Sequence, residues 1–357
     1  MPNKEKLTNS DAGEFLATDF GDLYKILSGA KRVALTMHIR PDGDSIGTAC
    51  ALKIALLGMG VETVDIWSSG SVHEKFNYIK FATDIIDSEI VFSEGTEQLK
   101  PKYDLLVVLD AGETHRIGAS ANLVRYSGKV IIFDHHIKPT MPCDLLVNNT
   151  YRASTGEMLF EFLTANKIEI TKEMAEALYT AAASDTGCFL FANTTEYTFH
   201  VAGTLLATGI DAARINYINF REYDPAVIPG FVKLLKRLRF LSNGRVSVTS
   251  LTKGMVKKYN FTSEERHSIQ KYASDAKGVR ASIFATGQPD GSHNISLRSH
   301  GDVDVAAVAR VFGGGGHRNA SGMRWTGKFK DVVEQLVKEF EKEFDRVDGT
   351  DTVGSGK

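Results

Sequence analysis

Short apolar runs that end in polar side chains constrain the fold of this chain most. The runs cover residues 33–37, 105–109 and 130–133. The polar residues that directly follow them are His38, Asp110, Asp134, His135 and His136. Continuous apolar strands that alternate with helical segments are typical of a parallel sheet covered on both faces. Because ligands bind outside the carboxyl ends of such strands, the pattern predicts an α/β fold with functional residues gathered at one sheet edge.

The sequence pattern changes around Ser242-Asn243-Gly244, where helical segments give way to strands. Strands are predicted at 245–251, 279–285 and 293–299, with a helix near 304–312. A chain of 357 residues has room for about two domains. We therefore predict a parallel-sheet domain at 1–220, a helical linker at 221–244, a smaller mixed α/β domain at 245–345 and a flexible tail at 346–357.

The charge balance excludes one class of nucleic-acid protein. The 42 Lys and Arg against 44 Asp and Glu give a net charge of −2, whereas a protein that coats long duplexes needs a strong basic excess. The three cysteines form no C-x-x-C pair and fit a reducing compartment. With neither a leader sequence nor an apolar run of membrane-spanning length evident, the sequence predicts a cytoplasmic protein with no membrane partner.

His38, Asp42 and Asp44 lie on one short loop that is bent by Pro41 and Gly43. Carboxylates and imidazole suit Mn²⁺, Mg²⁺ or Fe²⁺ better than metals that prefer thiolates. A solvated turn is the alternative, since Pro-Asp-Gly-Asp is also ordinary turn composition. The loop is therefore a candidate metal site rather than an assigned one.

Asp110, Asp185 and the pair His135 and His136 are further candidate metal ligands. Asp110 could instead cap a helix, and the two histidines could lie on a polar loop. Asp185 lies near the end of an apolar helix, where a carboxylate opposes the helix dipole unless a cation compensates it; simple exposure there is the alternative. Taken together, four separate segments with ligands of one class predict a two-metal site, with ions about 3.5–4 Å apart and a bridging carboxylate.

A run of four glycines, Gly313–Gly316, precedes His317 and Arg318. Successive glycines expose backbone N–H groups and adopt positive φ, so the run can form an anion-binding nest. A flexible loop is the alternative. A smaller motif, Ser154-Thr155-x-Glu157, is predicted to cap the helix that follows it.

These motifs resemble those of the DHH phosphoesterase superfamily. His38 to Gly47, the strand-ending Asp110, Asp134-His135-His136 and Ser184 to Gly187 are similar to its four motifs and occur in the same order across about residues 30–190. The glycine run resembles the G-G-G-H motif of the DHH-associated C-terminal domain. The combination resembles the stand-alone, NrnA-type members of the superfamily.

The resemblance implies roles for individual residues. One metal ion would be held by His38, Asp42 and Asp110, and a second by Asp44, Asp110, His135 and Asp185. His136 would face the substrate phosphate, and Asp134 would support the histidines. The implied substrate contacts in the second domain are Arg280, Arg298, Ser299, Gly314, Gly315, Gly316 and His317.

The implied activity is that of a phosphoesterase that uses two divalent metal ions. Mn²⁺ is the expected ion, and Mg²⁺, Co²⁺ and Fe²⁺ are the alternatives. A metal-activated hydroxide would cleave short single-stranded RNA (nanoRNA) to mononucleotides and convert 3′-phosphoadenosine 5′-phosphate (PAP) to AMP. The alternatives are a phosphodiesterase for linear or cyclic dinucleotides such as pApA, and a catalytically silent nucleotide-binding regulator. A homodimer is left open.

Overall fold

A computed structural model describes residues 20–93, 103–137, 139–259, 261 and 263–351. The chain divides between Glu222 and Tyr223 into two compact units. We describe each unit by itself. Within the described ranges, no helix is both long and apolar enough to cross a membrane.

The first unit is built on a six-stranded sheet whose strand order is β3-β2-β1-β4-β5-β6 and in which every neighbouring pair is parallel. The strands are β1 (Arg32–Met37), β2 (Thr63–Ser68), β3 (Ile86–Asp87), β4 (Tyr103–Leu109), β5 (Ser127–Asp134) and β6 (Leu145–Asn148). The predicted α/β fold with a parallel sheet is confirmed.

Helices cover both faces of this sheet. They are α1 (Phe20–Ser28), α2 (Gly43–Gly58), α3 (Ser88–Ser93), α4 (Thr155–Ala165), α5 (Lys172–Asp185), α6 (Glu196–Leu206) and α7 (Ala212–Phe220), with 3-10 segments at Glu74–Phe76, Ala82–Asp84 and Thr114–Tyr126. The larger core packs α2, α4 and α5 against residues such as Leu35 and Phe133, and a smaller core on the other face includes Leu106 and Ile132.

The second unit contains a mixed sheet with strand order β11-β12-β10-β9-β8-β7. Its strands are β7 (Arg239–Leu241), β8 (Val246–Leu251), β9 (Ala281–Gly287), β10 (His293–Ser299), β11 (Gly315–His317) and β12 (Ala320–Trp325). Its helices are α8 (Ile228–Leu235), α9 (Lys253–Tyr259), α10 (Ser263–Ser274), α11 (Val305–Val311) and α12 (Phe329–Asp351). Only β8 and β9 pair in parallel among these strands; the other pairs are antiparallel.

Two predicted boundaries differ from the structure. The predicted flexible tail begins at 346, whereas α12 continues to Asp351. The helix is anchored there because Val347 is buried and Asp348 forms an ion pair with Arg280. The predicted helical linker at 221–244 includes β7, which pairs with β8 and thus belongs to the second sheet. Residues 352–357 lie outside the described ranges.

The start of α2 is set by a capping box. Asp42 accepts hydrogen bonds from the backbone N–H groups of Asp44 and Ser45, so the helix begins at Gly43. Further along the helix, Gly47 faces the backbone of α5, where a Cβ would collide with the carbonyl oxygen of Ala177. Helices α2 and α5 therefore approach each other more closely at Gly47 than any side chain would allow.

We expect Gly47→Ala to lower the free energy of unfolding by about 1–3 kcal/mol, because the added methyl group overpacks this contact. Gly58→Ala in the same helix is the matched control, since nothing lies within 4 Å of its Cβ position. That change should leave stability unaltered or raise it by up to about 1 kcal/mol through helix propensity. Urea denaturation measures both variants, and equal stabilities would contradict the close approach.

Candidate metal centre

The carboxyl ends of three adjacent strands bring the predicted ligands together. His38 directly follows β1, Asp110 follows β4, and Asp134 ends β5, with His135 and His136 next in the chain. Since β4 lies between β1 and β5, Asp110 occupies the middle of this edge. Its φ of 56° lies in the left-handed region, which is uncommon for a residue other than glycine.

Three groups of side chains at this edge have ligand atoms within 4.8 Å of one another. They are His38, Asp42 and Asp110; Asp44, His135 and Asp185; and Asp110, His135 and His136. Asp185 joins them from the last residue of α5, and Asp42 and Asp44 from the start of α2. Every residue that the sequence nominated as a metal ligand is therefore within this cluster.

The two carboxylate oxygens of Asp110 face different histidines. Oδ2 lies 3.3 Å from Nε2 of His38, and Oδ1 lies 3.5 Å from Nε2 of His135. The first histidine is also 3.6 Å from Asp42, and the second is 3.1 Å from Asp185 and 4.0 Å from Asp44. This arrangement is what a carboxylate that bridges two cations requires.

Backbone carbonyls orient both histidines. Nδ1 of His38 lies 2.9 Å from the carbonyl oxygen of Ile39, and Nδ1 of His135 lies 3.2 Å from that of Arg152. A proton on each Nδ1 leaves each Nε2 to face the carboxylates, as is common for metal-binding histidines. Nε2 of His135 is buried and makes no hydrogen bond of acceptable geometry. A divalent cation fits this donor set because it would satisfy that nitrogen and the surrounding carboxylates together.

The electrostatics of the cluster also indicate a cation site. Burial, together with the charges of Asp110 and Asp185, raises the pKa of Asp44 well above its ordinary value. Burial likewise raises the pKa of Asp185 to about 6. Burial opposes the charged form of each histidine, but neighbouring carboxylates outweigh it and raise the pKa to about 11 for His38 and about 12 for His135. The apo cluster thus retains protons that metal binding would release.

The carboxylate of Asp44 is held by the beginning of α4. The backbone N–H groups of Thr155 and Gly156 donate to its two oxygens at 2.7 and 2.9 Å, and the Thr48 hydroxyl donates at 3.2 Å. The predicted cap is confirmed, because Ser154 accepts from the N–H of Glu157. The sequence did not indicate that the same helix start also fixes a ligand. The sequence carried no signal for this role, because the donors are backbone N–H groups.

His136 is paired with Asp134 at one side of the cluster, where its Nδ1 also lies 3.4 Å from Oδ1 of Asp110. The carboxylate of Asp134 contacts Nδ1 of His136 at 2.8 Å and accepts from its backbone N–H at 3.2 Å. Asn148 donates to the carbonyl oxygens of both residues. Asp134 therefore supports His136, whereas the partner of His135 is the carbonyl of Arg152. The resemblance had implied that Asp134 supports both histidines.

The predicted substrate residues lie in the second unit, and some have structural partners there. Arg280 pairs with Asp348 at 2.8 Å and lies over the ring of Phe344. The hydroxyl of Ser299 donates to the carbonyl of Val303 and accepts from Asn319, a residue that sequence analysis did not select. Arg298 is half-buried, and this burial lowers its pKa.

The last two glycines of the run lie in an edge strand. Gly315, Gly316 and His317 make up β11 and pair with β12, and His317 is exposed. A Cβ at Gly314 or Gly316 would collide with the backbone of β12, so glycine is required by close packing at these two positions. Gly315 and Gly316 thus belong to a paired strand rather than to a flexible loop.

Comparison with known families agrees with this geometry. The model of the DHH family, N-terminal domain, matches residues 32–182, and the DHHA1 domain matches residues 246–346. The chain contains a DHH domain followed by a DHHA1 domain. It is accordingly an enzyme of the metal-dependent hydrolase class.

Individual relatives align with most of the chain. The bifunctional oligoribonuclease and PAP phosphatase NrnA of Bacillus subtilis is 28% identical over 84% of this chain and 91% of that protein. The cyclic-di-AMP phosphodiesterase GdpP of Geobacillus thermodenitrificans is 25% identical over 89% of this chain, but only 48% of GdpP is covered. The crystal structure of an exopolyphosphatase-related protein from Bacteroides fragilis has a TM-score of 0.84 at 23% identity, over 94% of this chain and 99% of that one, which shows the fold.

We expect Mn²⁺ at a hundredfold excess over its dissociation constant to raise the Tm of the protein by about 5–10 °C. Asp110→Asn should remove most of this shift, because it deletes the charge shared by both histidines. Asparagine adopts left-handed φ readily, so the backbone at this position is preserved. Differential scanning fluorimetry with Mn²⁺ and with a chelator measures the shift.

Asp211→Asn is the matched control for this experiment, since Asp211 caps α7 and asparagine caps equally well. The control should keep the full metal-dependent shift. A shift of equal size in Asp110→Asn would contradict the placement of the metal at this cluster.

Proposed function

We propose that the chain hydrolyses very short single-stranded RNAs to mononucleotides and removes the 3′-phosphate of PAP. The observation that carries the proposal is one carboxylate, Asp110, shared by two potential ligand groups, one with His38 and Asp42 and the other with His135 and His136. Similarity to the B. subtilis oligoribonuclease and PAP phosphatase over most of both chains supports this choice of substrates.

The ligand assignment follows the geometry of the cluster. His38, Asp42 and Asp110 would hold one divalent ion; Asp44, Asp110, His135 and Asp185 would hold the second. Mn²⁺ is the proposed ion, with Mg²⁺, Co²⁺ or Fe²⁺ as alternatives, since all accept carboxylate and imidazole ligands. When bound, such ions polarise phosphoryl oxygens and lower the pKa of water.

The protein's own residues supply orientation and charge stabilisation. The two amides at the start of α4 fix both oxygens of Asp44, and the Arg152 carbonyl fixes the ring of His135. Because Nδ1 of His136 is engaged by Asp134, its Nε2 is the atom left to donate to a phosphate oxygen. A donor directed at the charge that develops in the transition state accelerates the reaction.

In the DHHA1 domain, we propose that Arg298, His317 and the backbone of Gly314, Gly315 and Gly316 bind another part of a nucleotide. The half-buried guanidinium of Arg298 and the exposed ring of His317 support this role. Arg280 and Ser299 contribute through the fold, since both are committed to contacts within the domain. Three scattered cysteines with no C-x-x-C pair fit the reducing cytoplasm that we propose as the compartment.

Hydrolysis of the linear dinucleotide pApA, or of a cyclic dinucleotide, is the second candidate activity. Similarity to the cyclic-di-AMP phosphodiesterase GdpP favours it. The ratio of kcat/KM values on pApA, cyclic di-AMP and dinucleotides of other sequence would rank these activities. Tight binding of all of them without turnover would instead identify a silent regulator.

Purified, Mn²⁺-loaded protein should hydrolyse both a diribonucleotide and PAP, as measured by chromatographic separation of the products. Asp110→Ala should abolish the two activities together, because both depend on the shared carboxylate. Failure of metal-loaded protein to hydrolyse either substrate would refute the proposed function. Loss of only one activity in Asp110→Ala would refute a common site.

His136→Gln should lower kcat on both substrates by about 10²–10³-fold while leaving the Mn²⁺ isotherm unchanged, because His136 acts on the phosphate rather than on the metal. His200→Gln, an exposed histidine on α6, is the control and should retain full kcat. A large loss of Mn²⁺ affinity in His136→Gln would show that His136 is a metal ligand instead.

A further inference from the structure

A strained turn follows the metal-ligand candidate Asp185. Gly187, Cys188 and Phe189 have consecutive φ values of 56°, 59° and 65°, all in the left-handed region. Two of these three residues carry side chains, which makes this conformation costly. Such outliers persist only where the surrounding structure imposes them, and they concentrate at functional sites.

The turn is firmly held on its inner side. Thr186 is fully buried, and its hydroxyl accepts from the N–H of Phe189 at 3.1 Å. Asn193 donates to the carbonyl oxygens of Asp185 at 3.1 Å and Ala153 at 3.3 Å, which ties the turn to the start of α4. The ring of Phe189 packs between those of Tyr179 and Phe199. The turn is therefore fixed from within the fold.

This fixed turn directs large apolar side chains toward solvent. Leu190 is 68% exposed and Phe191 is 50% exposed. The ring of Phe191 lies against Gly187, where a Cβ would collide with it. Gly187 is two residues from Asp185, so their Cα atoms are at most about 8 Å apart. An exposed aromatic ring is thus held against the turn that directly follows Asp185, a residue of the candidate metal cluster.

Other exposed apolar residues are also sequence neighbours of the candidate metal cluster. Some directly follow a residue of the cluster, and one precedes a residue whose carbonyl orients a candidate ligand. We call the set the apolar rim; its members are Ile39, Ile137, Tyr151, Leu190 and Phe191. Ile39 is next to His38, Ile137 is next to His136, and Tyr151 precedes Arg152, whose carbonyl orients His135. Exposed apolar residues that neighbour a charged site in the chain are compatible with a ligand that has both a charged and an apolar part.

We propose that the apolar rim, and Phe191 above all, is the surface on which a nucleobase of the substrate stacks while the adjoining phosphate occupies the metal cluster. This inference rests on the proposed function and specifies how its substrate is held. A base and its phosphate are separated by a single ribose, which matches a charged cluster with an aromatic ring beside it. Stacking on an aromatic ring tolerates every base, so the rim selects nucleotides without selecting sequence.

The test compares two substrates. One is 5′-phosphorylated ApA, written ApA below, and the other is the same 5′-phosphorylated dinucleotide with both adenines replaced by hydrogen. Phe191→Ala should raise KM for ApA by about 5–100-fold, the range expected from loss of one stacked base, and change kcat little. The base-free substrate should be hydrolysed equally by wild type and Phe191→Ala. Phe191→Trp should restore the wild-type KM for ApA, because tryptophan supplies a stacking face.

Leu57→Ala is the control, since Leu57 is 39% exposed near the end of α2, about 20 Å along the helix from Asp44. It should leave both substrates unaffected. The Mn²⁺ isotherm of Phe191→Ala should equal that of wild type, which separates loss of stacking from damage to the metal cluster.

If Phe191→Ala changes KM equally for both substrates, or changes it for neither, the stacking proposal is refuted while the proposed function stands. Loss of a dimer in Phe191→Ala by light scattering, with equal loss of activity on both substrates, would assign the rim to a second copy of the chain and overturn the proposal. Wild-type protein that binds Mn²⁺ but hydrolyses neither substrate would instead remove the proposed function, and the rim proposal with it.

Discussion

The carboxylate of Asp110 is the interaction on which the rest of the site depends. It is almost fully buried, at the middle of the sheet edge, and each of its oxygens faces a different histidine. Burying such a charge is costly unless it is neutralised, so both histidines must be held close to it. Their positions in turn require the backbone carbonyls that orient them. The left-handed backbone of Asp110 is the local cost of placing its side chain there.

The order of strands explains why this interaction forms. In the parallel sheet, β1, β4 and β5 are neighbours although they are distant in sequence, and all three end at the same edge. Helices α2 and α5 add further candidate ligands from opposite ends: α2 contributes them from its N-terminus and α5 from its C-terminus. Residues from four distant parts of the chain meet because of this topology, with no need for a long structured loop.

The strands and the clustering of the candidate ligand side chains could be predicted from sequence, because apolar runs followed by a carboxylate or histidine mark the strand ends. The groups that orient them could not, since the amides of Thr155 and Gly156 and the carbonyl of Arg152 are backbone atoms that every residue possesses. The glycine run was also ambiguous: close packing against β12 and exposure of amides to an anion demand the same residue. The end of α12 was missed because its polar composition conceals the buried Val347.

The close contact between α2 and α5 has a consequence for the chemistry. Besides Gly47, the helices meet at Gly43, where a Cβ would approach Ser184, the neighbour of Asp185. Gly43 in turn lies between Asp42 and Asp44. The distance between ligands on the two helices is therefore determined by residues that have no side chain at all. A bulkier residue at either glycine would move Asp44 away from Asp185 and alter which ion radius the site accepts, although every ligand would still be present.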